Sequence, residues 1–156
     1  MKIHLAFLGA LALTTAASAT EPSSDRRAVS LWYDAFSRGD PSMLDQALAR
    51  DWVDLPSTPG EPAGPGAAKA FLVRFRAAFP DLTIHVDDII QDGDKMVVRS
   101  RIRGTLREPF LGASANGQKL DIQAIDIHQV RDGQIVRTWH SEDWMTGLRQ
   151  LGVISR

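Results

Sequence analysis

The residue types that could do chemistry are concentrated in one short segment near the end of the 156-residue chain. Within five residues it contains an indole, an imidazole and two carboxylates, on Trp139, His140, Glu142 and Asp143. An indole ring binds flat apolar molecules, and an imidazole or carboxylate within reach of a reacting atom can transfer its proton. The segment therefore predicts proton-transfer chemistry on an apolar small molecule, if these side chains share one pocket.

Which side chains share a pocket depends on the hairpin that carries this segment. Asp132-Gly133 is a strong signal for a two-residue turn, which would pair Arg131 with Gln134. In that register one sheet face carries Ile122, Ala124, Asp126, His128, Arg137, Trp139, Ser141 and Asp143. Such a mixture suits a ligand pocket, although a solvated face would also carry charged groups. A one-residue bulge at the turn would exchange the faces and bring His140 into the pocket.

The elements that position these side chains follow from the spacing of apolar residues. Helical spacing and capping signals predict helices over residues 25–38, 41–48 and 68–79, with a short strand at 52–55. Alternating patterns around two Asp-Gly turns predict strands over residues 83–91, 95–106, 120–130 and 135–144. The order predicts an α+β fold, in which a curved antiparallel sheet packs with three N-terminal helices.

A loop rich in proline and glycine interrupts this pattern at residues 56–66. It is too long for a simple connection, and structureless loops of this length are often lids or binding loops. The sequence therefore predicts a mobile lid at the rim of the pocket.

The N-terminus has the three parts of a secretory signal peptide. Lys2 supplies the positive charge, residues 3–13 are an apolar run, and Ala17-Ser18-Ala19 is a cleavage site of small residues. This organisation predicts a signal peptide over residues 1–19, cleaved near Ala19 and Thr20, and a single domain over residues 20–156. The expected location is the periplasm or outside the cell. The chain has no cysteine, so the domain has no disulfide bonds.

Charge and spacing argue against several classes of partner. The formal net charge is −1 and no basic stripe is sustained, which disfavours nucleic acid. The apolar run near the N-terminus is shorter than the roughly 20 residues of a membrane span. His128 and His140 fit no common metal-ligand spacing, and no phosphate-binding loop is present, so we expect neither a metal nor another cofactor.

Several blocks of the sequence together resemble one known family. They are Phe79-Pro80-Asp81-Leu82, Gln91-Asp92-Gly93-Asp94-Lys95, Gly104-Thr105, Phe110-Leu111-Gly112, Asp132-Gly133-Gln134-Ile135-Val136, Trp139-His140-Ser141-Glu142-Asp143 and Gln150-Leu151-Gly152. At this spacing they resemble the SnoaL-like proteins, also called ester cyclases or polyketide cyclases, of the nuclear-transport-factor-2-like superfamily. The resemblance extends over about residues 25–153. It implies a cone-shaped α+β fold around a deep apolar cavity, and a homodimer or homotetramer.

The resemblance also implies a type of reaction and roles for residues. Family members close rings in aromatic polyketides by intramolecular aldol condensation, without metal or organic cofactor, and an acidic residue acts as general acid and base. Its position in this chain is Asp143, and His128 or His140 would donate a hydrogen bond to the developing enolate. Trp139 and Trp52 would stack on an apolar or aromatic carbonyl-bearing ligand. The remaining polar residues predicted to bind substrate are Asp126 and Arg137.

Two departures from the family pattern keep a second function open. Leu55 and Leu106 stand where many relatives have histidine. If those histidines serve the reaction, this protein would be a non-catalytic, exported small-molecule-binding protein of the same fold. A third alternative is a purely oligomeric module whose cavity has collapsed.

Overall fold

Nine elements follow one another along the part of the chain that the structure describes. The structure is a computed structural model, and it describes residues 23–57, 60 and 62–155. The helices are α1 (Ser24–Arg38), α2 (Met43–Ala47), α3 (Gly66–Ala78) and α4 (Trp144–Gln150). The strands are β1 (Leu48–Leu55), β2 (Thr83–Asp92), β3 (Lys95–Thr105), β4 (Lys119–Arg131) and β5 (Gln134–Glu142). The three predicted N-terminal helices and the α+β class are confirmed.

The five strands form one curved sheet in the order β1-β5-β4-β3-β2. The four long strands are antiparallel neighbours, as the two Asp-Gly turns predict. The short strand β1 pairs parallel with β5, so the five-stranded sheet as a whole is mixed. A parallel pair needs a long connection, and here the chain between the two strands contains the rest of the sheet and α3.

The β4–β5 hairpin contains the bulge that decides the composition of each face. Asp132 and Gly133 both have positive φ, 51° and 74°, as a two-residue primed turn requires. Arg131 pairs with Gln134 and Val130 with Ile135, but Gln129 then pairs with Arg137. Val136 is therefore an extra residue in β5. From there to the end of the strand the register is slipped by one, so Asp126 lies opposite His140.

Helix α1 supplies the aromatic residues that cover the concave face of the sheet. The Ser23 side chain accepts a hydrogen bond from the backbone N–H of Arg26, and Gly39 ends the helix in the left-handed conformation with φ 70°. Both are common ways to satisfy the free backbone groups of a helix end. Apolar residues at helical spacing then bury one side of α1, including Trp32, Tyr33 and Phe36.

The C-terminal helix α4 was not predicted. The last strand was expected to run to residue 144, but it ends at Glu142, and Asp143 is the N-cap of α4. The Asp143 carboxylate accepts a hydrogen bond of 3.0 Å from the backbone N–H of Thr146. Gly147 allows the helix to approach the sheet closely, because a β-carbon there would lie 3.1 Å from the side chain of Leu120.

Two predictions concern segments that the structure describes only in part or not at all. The predicted signal peptide, residues 1–19, lies outside the described residues, and so do three positions of the predicted lid at 56–66. Both stay predictions. Among the described residues, no helix has the length and apolar character needed to cross a membrane.

Candidate functional site

A cavity of about 300 Å³ lies between helices α1 and α3 and the concave face of the sheet. Its walls combine aromatic and small apolar side chains with a group of polar ones. The lining residues are Trp32, Tyr33, Phe36, Asp54, Ala67, Ala68, Phe71, Arg74, Ile84, Ser100, Ile102, Ala124, Asp126, His140 and Glu142. Apolar walls with a few convergent polar groups are typical of small-molecule sites.

His140 is held between two carboxylates from different strands. Its Nδ1 atom lies 2.9 Å from Oδ1 of Asp126 on β4, in hydrogen-bond geometry. Its Nε2 atom lies 2.8 Å from Oδ1 of Asp54 on β1. This second contact is an ion pair and not an aligned hydrogen bond, since Asp54 Oδ1 has no hydrogen-bond partner within the described residues. The Nε2–H bond is therefore less committed than the Nδ1–H bond.

These contacts favour the charged form of His140. Burial alone would lower its pKa, but the close contacts with Asp126 and Asp54 and the charges of both carboxylates outweigh burial and raise the pKa to about 10. The Trp32 ring is stacked on the imidazole, with centroids 5.7 Å apart, and an indole face attracts a cation at this separation. At neutral pH His140 is therefore an imidazolium ion in the wall of the cavity.

Glu142 is the carboxylate best suited to accept a proton. It follows His140 by two residues on β5, and its Oε1 atom lies 3.8 Å from His140 Nδ1. Burial raises the pKa of Glu142, and the charge of His140 only partly opposes this. A carboxylate whose pKa lies closer to neutrality is a stronger base than an ordinary glutamate.

Asp126 is saturated by two donors at the floor of the cavity. Its Oδ2 atom accepts a hydrogen bond of 2.7 Å from the hydroxyl of Tyr33, and its Oδ1 atom faces His140. Burial, followed by the charge of Asp126, strongly raises the pKa of Tyr33, so the phenol stays protonated and remains a donor. Asp126 is thus an anchor for His140.

Three of these groups are also close enough together to hold a metal ion. Ligand atoms of Asp126, His140 and Glu142 all lie within 4.8 Å of one another. His140 would first have to release the hydrogen bond from Nδ1 to Asp126, because the metal-binding form of imidazole is neutral and offers a free lone pair. The types of ligand atom are therefore compatible with a metal ion. The contacts that the structure shows, however, stabilise the charged form of His140.

The structure brings only some of the predicted site residues together. His140 and Asp126 line the cavity. His128 and Trp52 are fully buried directly behind its wall, so they reach the cavity only through other side chains. Because of the bulge at Val136, Trp139 and Arg137 lie on the opposite, outer face of the sheet. The expectation that these two residues share a pocket with Asp126 was wrong.

Asp143 lies outside the cavity as well. Its side chain is exposed, and hydrogen bonds from Thr146 lower the pKa of its carboxyl group. A carboxylate with a lowered pKa that caps a helix in solvent is a weak base, and Asp143 is not among the residues that line the cavity. The position of Asp143 therefore does not suit the role of general acid and base that the family resemblance implied.

The sequence-based interpretation missed Tyr33, Asp54 and Glu142 as site residues. Glu142 and His140 were placed on the face opposite Asp126, because the bulge was only the alternative register. Asp54 directly precedes Leu55 in the sequence, and its position beside His140 depends on the parallel pairing of β1 with β5. Tyr33 is the one tyrosine of the chain and lies next to Trp32 on α1, which was the available signal.

The two leucines at family histidine positions do not line the cavity. Leu55 pairs with Trp139, and its side chain lies on the outer face of the sheet. Leu106 is fully buried in the core. The polar lining around His140 is therefore built from other residues.

The comparisons with known proteins agree with this architecture. The model of the SnoaL-like polyketide cyclase family matches residues 26–151. TsrD from Streptomyces laurentii is 29% identical and has a TM-score of 0.78; the match covers 84% of this chain and 96% of TsrD. IdmH from Streptomyces antibioticus, a candidate polyketide cyclase, is 32% identical with a TM-score of 0.70, over 81% of this chain and 96% of IdmH. No protein with curated functional information matches the chain significantly.

Proposed function

Because the chain belongs to the SnoaL-like polyketide cyclase family, we propose that it is an acid–base enzyme of the cyclase or isomerase type. Its substrate is an apolar small molecule with a carbonyl group, bound in the cavity between α1, α3 and the sheet. The observation that carries this proposal is the His140 imidazolium, held between two carboxylates beside Glu142 in an aromatic-walled cavity. The reaction uses side chains alone.

Glu142 is the general base in this mechanism. Its carboxylate takes the proton from a carbon atom next to the substrate carbonyl, and the electron pair of the C–H bond moves onto the carbonyl oxygen. The proton on this carbon is only moderately hard to remove when the carbon lies between two carbonyl groups. A partly buried carboxylate with a raised pKa suits this task.

His140 stabilises the negative charge that develops. Its Nε2–H bond is not committed to an aligned hydrogen bond, so it can donate to the enolate oxygen. A preorganised cationic donor near a developing oxyanion is often the largest contribution to catalysis. In an aldol reaction the enolate carbon attacks a second carbonyl, and the new alkoxide takes back the proton that Glu142 received.

The aromatic walls define the shape of the substrate. Trp32, Phe36 and Phe71 line the cavity, and aromatic rings pack well against flat apolar molecules. A volume of about 300 Å³ is at the small end of ligand cavities. The cavity therefore suits a flat molecule of two or three rings, or a linear chain that folds into such a shape.

The experiment that tests this proposal combines binding with product analysis. The mature protein is screened by thermal shift against flat β-keto esters and bicyclic ketones, and each stabilising compound is analysed for conversion. We expect Glu142→Gln to retain binding and to lose conversion, while Asp143→Asn retains both. Conversion that survives in Glu142→Gln would reject the assigned base.

A non-catalytic binding protein is the second candidate. It is favoured by the fact that both ring nitrogens of His140 contact carboxylates of the protein itself. Such a protein would hold a carbonyl compound through His140 and release it unchanged. Ligands that bind tightly but are recovered intact, equally in Glu142→Gln and the unchanged protein, would favour this candidate.

We also propose that the protein is exported and assembles into a homodimer or homotetramer. The signal-peptide pattern of residues 1–19 supports export to the periplasm or beyond, and the N-terminal sequence of the secreted protein tests it. An apolar row on the outer sheet face supports assembly; it consists of Ile90, Val97, Ile127, Trp139 and Leu55. Light scattering should give a mass that is a multiple of the monomer mass. Ile125 lies on the same outer face, and Ile125→Glu should lower the measured mass towards that of the monomer.

A further inference from the structure

Arg74 places a positive charge in the wall of the cavity. It lies on α3, and it lines the cavity together with Ala67 and Phe71 of the same helix. Residues three or four positions apart share one face of a helix, so these three side chains form one stripe. Arg74 is exposed, whereas Phe71, one turn earlier, is half-buried. Arg74 therefore belongs to the part of the wall that is open to solvent, where a ligand enters.

The other two cations of α3 already have partners in the protein. The Lys69 ammonium lies 2.7 Å from a carboxylate oxygen of Asp45. The guanidinium of Arg76 donates hydrogen bonds of 3.1 and 2.8 Å to two backbone carbonyl oxygens. Arg74, by contrast, makes neither a hydrogen bond nor an ion pair with any residue that the structure describes. Its donors are therefore available to a ligand.

The position of Arg74 on the helix also differs from a simple division into an apolar and a charged side. The residue before it, Val73, is apolar and 56% exposed. The charged residue of the two is the one that borders the cavity, next to the aromatic ring of Phe71. The apolar stem of an arginine can pack on such a wall while the guanidinium stays in water. This arrangement keeps a charge at the mouth of an otherwise aromatic wall.

The charges around the cavity decide which kind of anion suits this guanidinium. The charged lining consists of Arg74, the His140 imidazolium and three carboxylates, which are Asp54, Asp126 and Glu142. Three negative and two positive charges leave a net charge of −1, so each further negative charge on a ligand adds net repulsion. A ligand with a single negative charge, bound at Arg74 and away from the three carboxylates, is therefore favoured over a dianion such as phosphate. A carboxylate also matches the planar guanidinium, which can donate two parallel hydrogen bonds to it.

We propose that Arg74 binds a carboxylate group of the ligand, so that the cavity takes a keto acid. The carboxylate lies at the mouth beside Arg74, and the carbonyl group lies at His140. Two polar contacts at separate points orient a flat molecule that the aromatic walls alone would leave free to turn. The inference rests on the proposed function only for the contact of the carbonyl group with His140. Arg74 itself determines specificity and takes no part in proton transfer.

Matched carboxylates and carboxamides test the proposal, because the two groups have nearly the same shape and only one is charged. The first pair is β-naphthoate and β-naphthamide, which have no ketone. The other pairs are β-tetralones that carry either group on the benzene ring, in each of its four free positions. Calorimetry gives the Kd of every compound for the unchanged protein and for Arg74→Gln. Lys69→Gln is the matched control, since it removes the same charge from the same helix at a residue that is not among those lining the cavity.

We expect the unchanged protein to prefer the carboxylate in at least one pair. Arg74→Gln should reduce that preference by about threefold to tenfold, which is the range between an exposed ion pair and a hydrogen bond to a charged group. Arg74→Glu should make the carboxamide the tighter ligand of the pair. Lys69→Gln should change the preference by less than about twofold, because salt screens a charge that does not contact the ligand.

Several results would overturn the inference. They are equal losses in Arg74→Gln and Lys69→Gln, a preference that Arg74→Gln leaves unaltered, and tighter binding of every carboxamide by the unchanged protein. Failure of all the carboxylates to bind would overturn it as well. None of these readouts involves turnover. A keto acid that binds through Arg74 but is not converted would reject the proposed function alone, whereas a converted ketone with no dependence on Arg74 would reject this inference alone.

Discussion

The raised pKa of His140 predicts that the protein loses stability as the pH rises above neutrality. In the unfolded chain a histidine titrates near its ordinary pKa of 6.5, whereas in the folded protein the pKa is about 10. Between these values the folded state binds one proton more than the unfolded state. Stability is therefore fully present below the unfolded pKa and falls as the pH increases towards the folded pKa.

The size of the effect follows from the two pKa values. Each unit of difference corresponds to about 1.4 kcal/mol, so the full span amounts to about 5 kcal/mol of the free energy of unfolding. Most of the imidazole is shielded, since its side chain is 19% exposed. Between pH 7 and pH 9, below the range in which lysine and tyrosine titrate, the expected loss is about 2.5 kcal/mol.

Urea unfolding at a series of pH values measures this loss directly. The unchanged protein should follow the predicted slope, and His140→Gln should show a much flatter curve, because the titrating group facing Asp54, Asp126 and Glu142 is gone. His85→Gln is the matched control, since it removes a histidine with a 72% exposed side chain from β2. A flat curve for the unchanged protein, or the same slope in His140→Gln, would refute the account of the imidazolium.

Three further predictions concern single side chains. Ser100→Ala should leave the free energy of unfolding unchanged or raise it by up to about 1 kcal/mol, because the buried Ser100 hydroxyl has no hydrogen-bond partner among the described residues. Thr138→Val, by contrast, leaves Trp52 and His128 without their partner and should cost about 1–3 kcal/mol in the same urea titration. Asp143→Ala removes the cap of α4 and should lower the midpoint of thermal unfolding modestly, with full conversion of any substrate retained.

Most of the fold could be predicted because its signals are local. The Asp-Gly turns and the alternating strands give four strands of the sheet in their order. The pairing of β1 with β5 joins residues about 85 positions apart, such as Leu55 and Trp139, and no short-range pattern specifies such a contact. Helix α4 was missed because its seven residues directly follow a strand that could have continued through Asp143.

The site was harder to predict because one extra residue reverses the faces of β5. Polar and apolar residues occur on both faces of the hairpin, so the alternation does not reveal the bulge at Val136. The composition of the cluster was informative, and Asp126 and His140 do line one cavity. The assignment of the base to Asp143 came from the family resemblance, and the geometry favours Glu142.

The most direct test of the central claim is the exchange of a carbon-bound proton. A flat bicyclic ketone such as β-tetralone is incubated with the protein in heavy water, and NMR follows the loss of the proton beside the carbonyl. We predict that the unchanged protein and Asp143→Asn accelerate this exchange over buffer, and that Glu142→Gln slows it by about a hundredfold or more. Equal exchange in Glu142→Gln and the unchanged protein, or bound ketone that exchanges no faster than in buffer, would contradict the account.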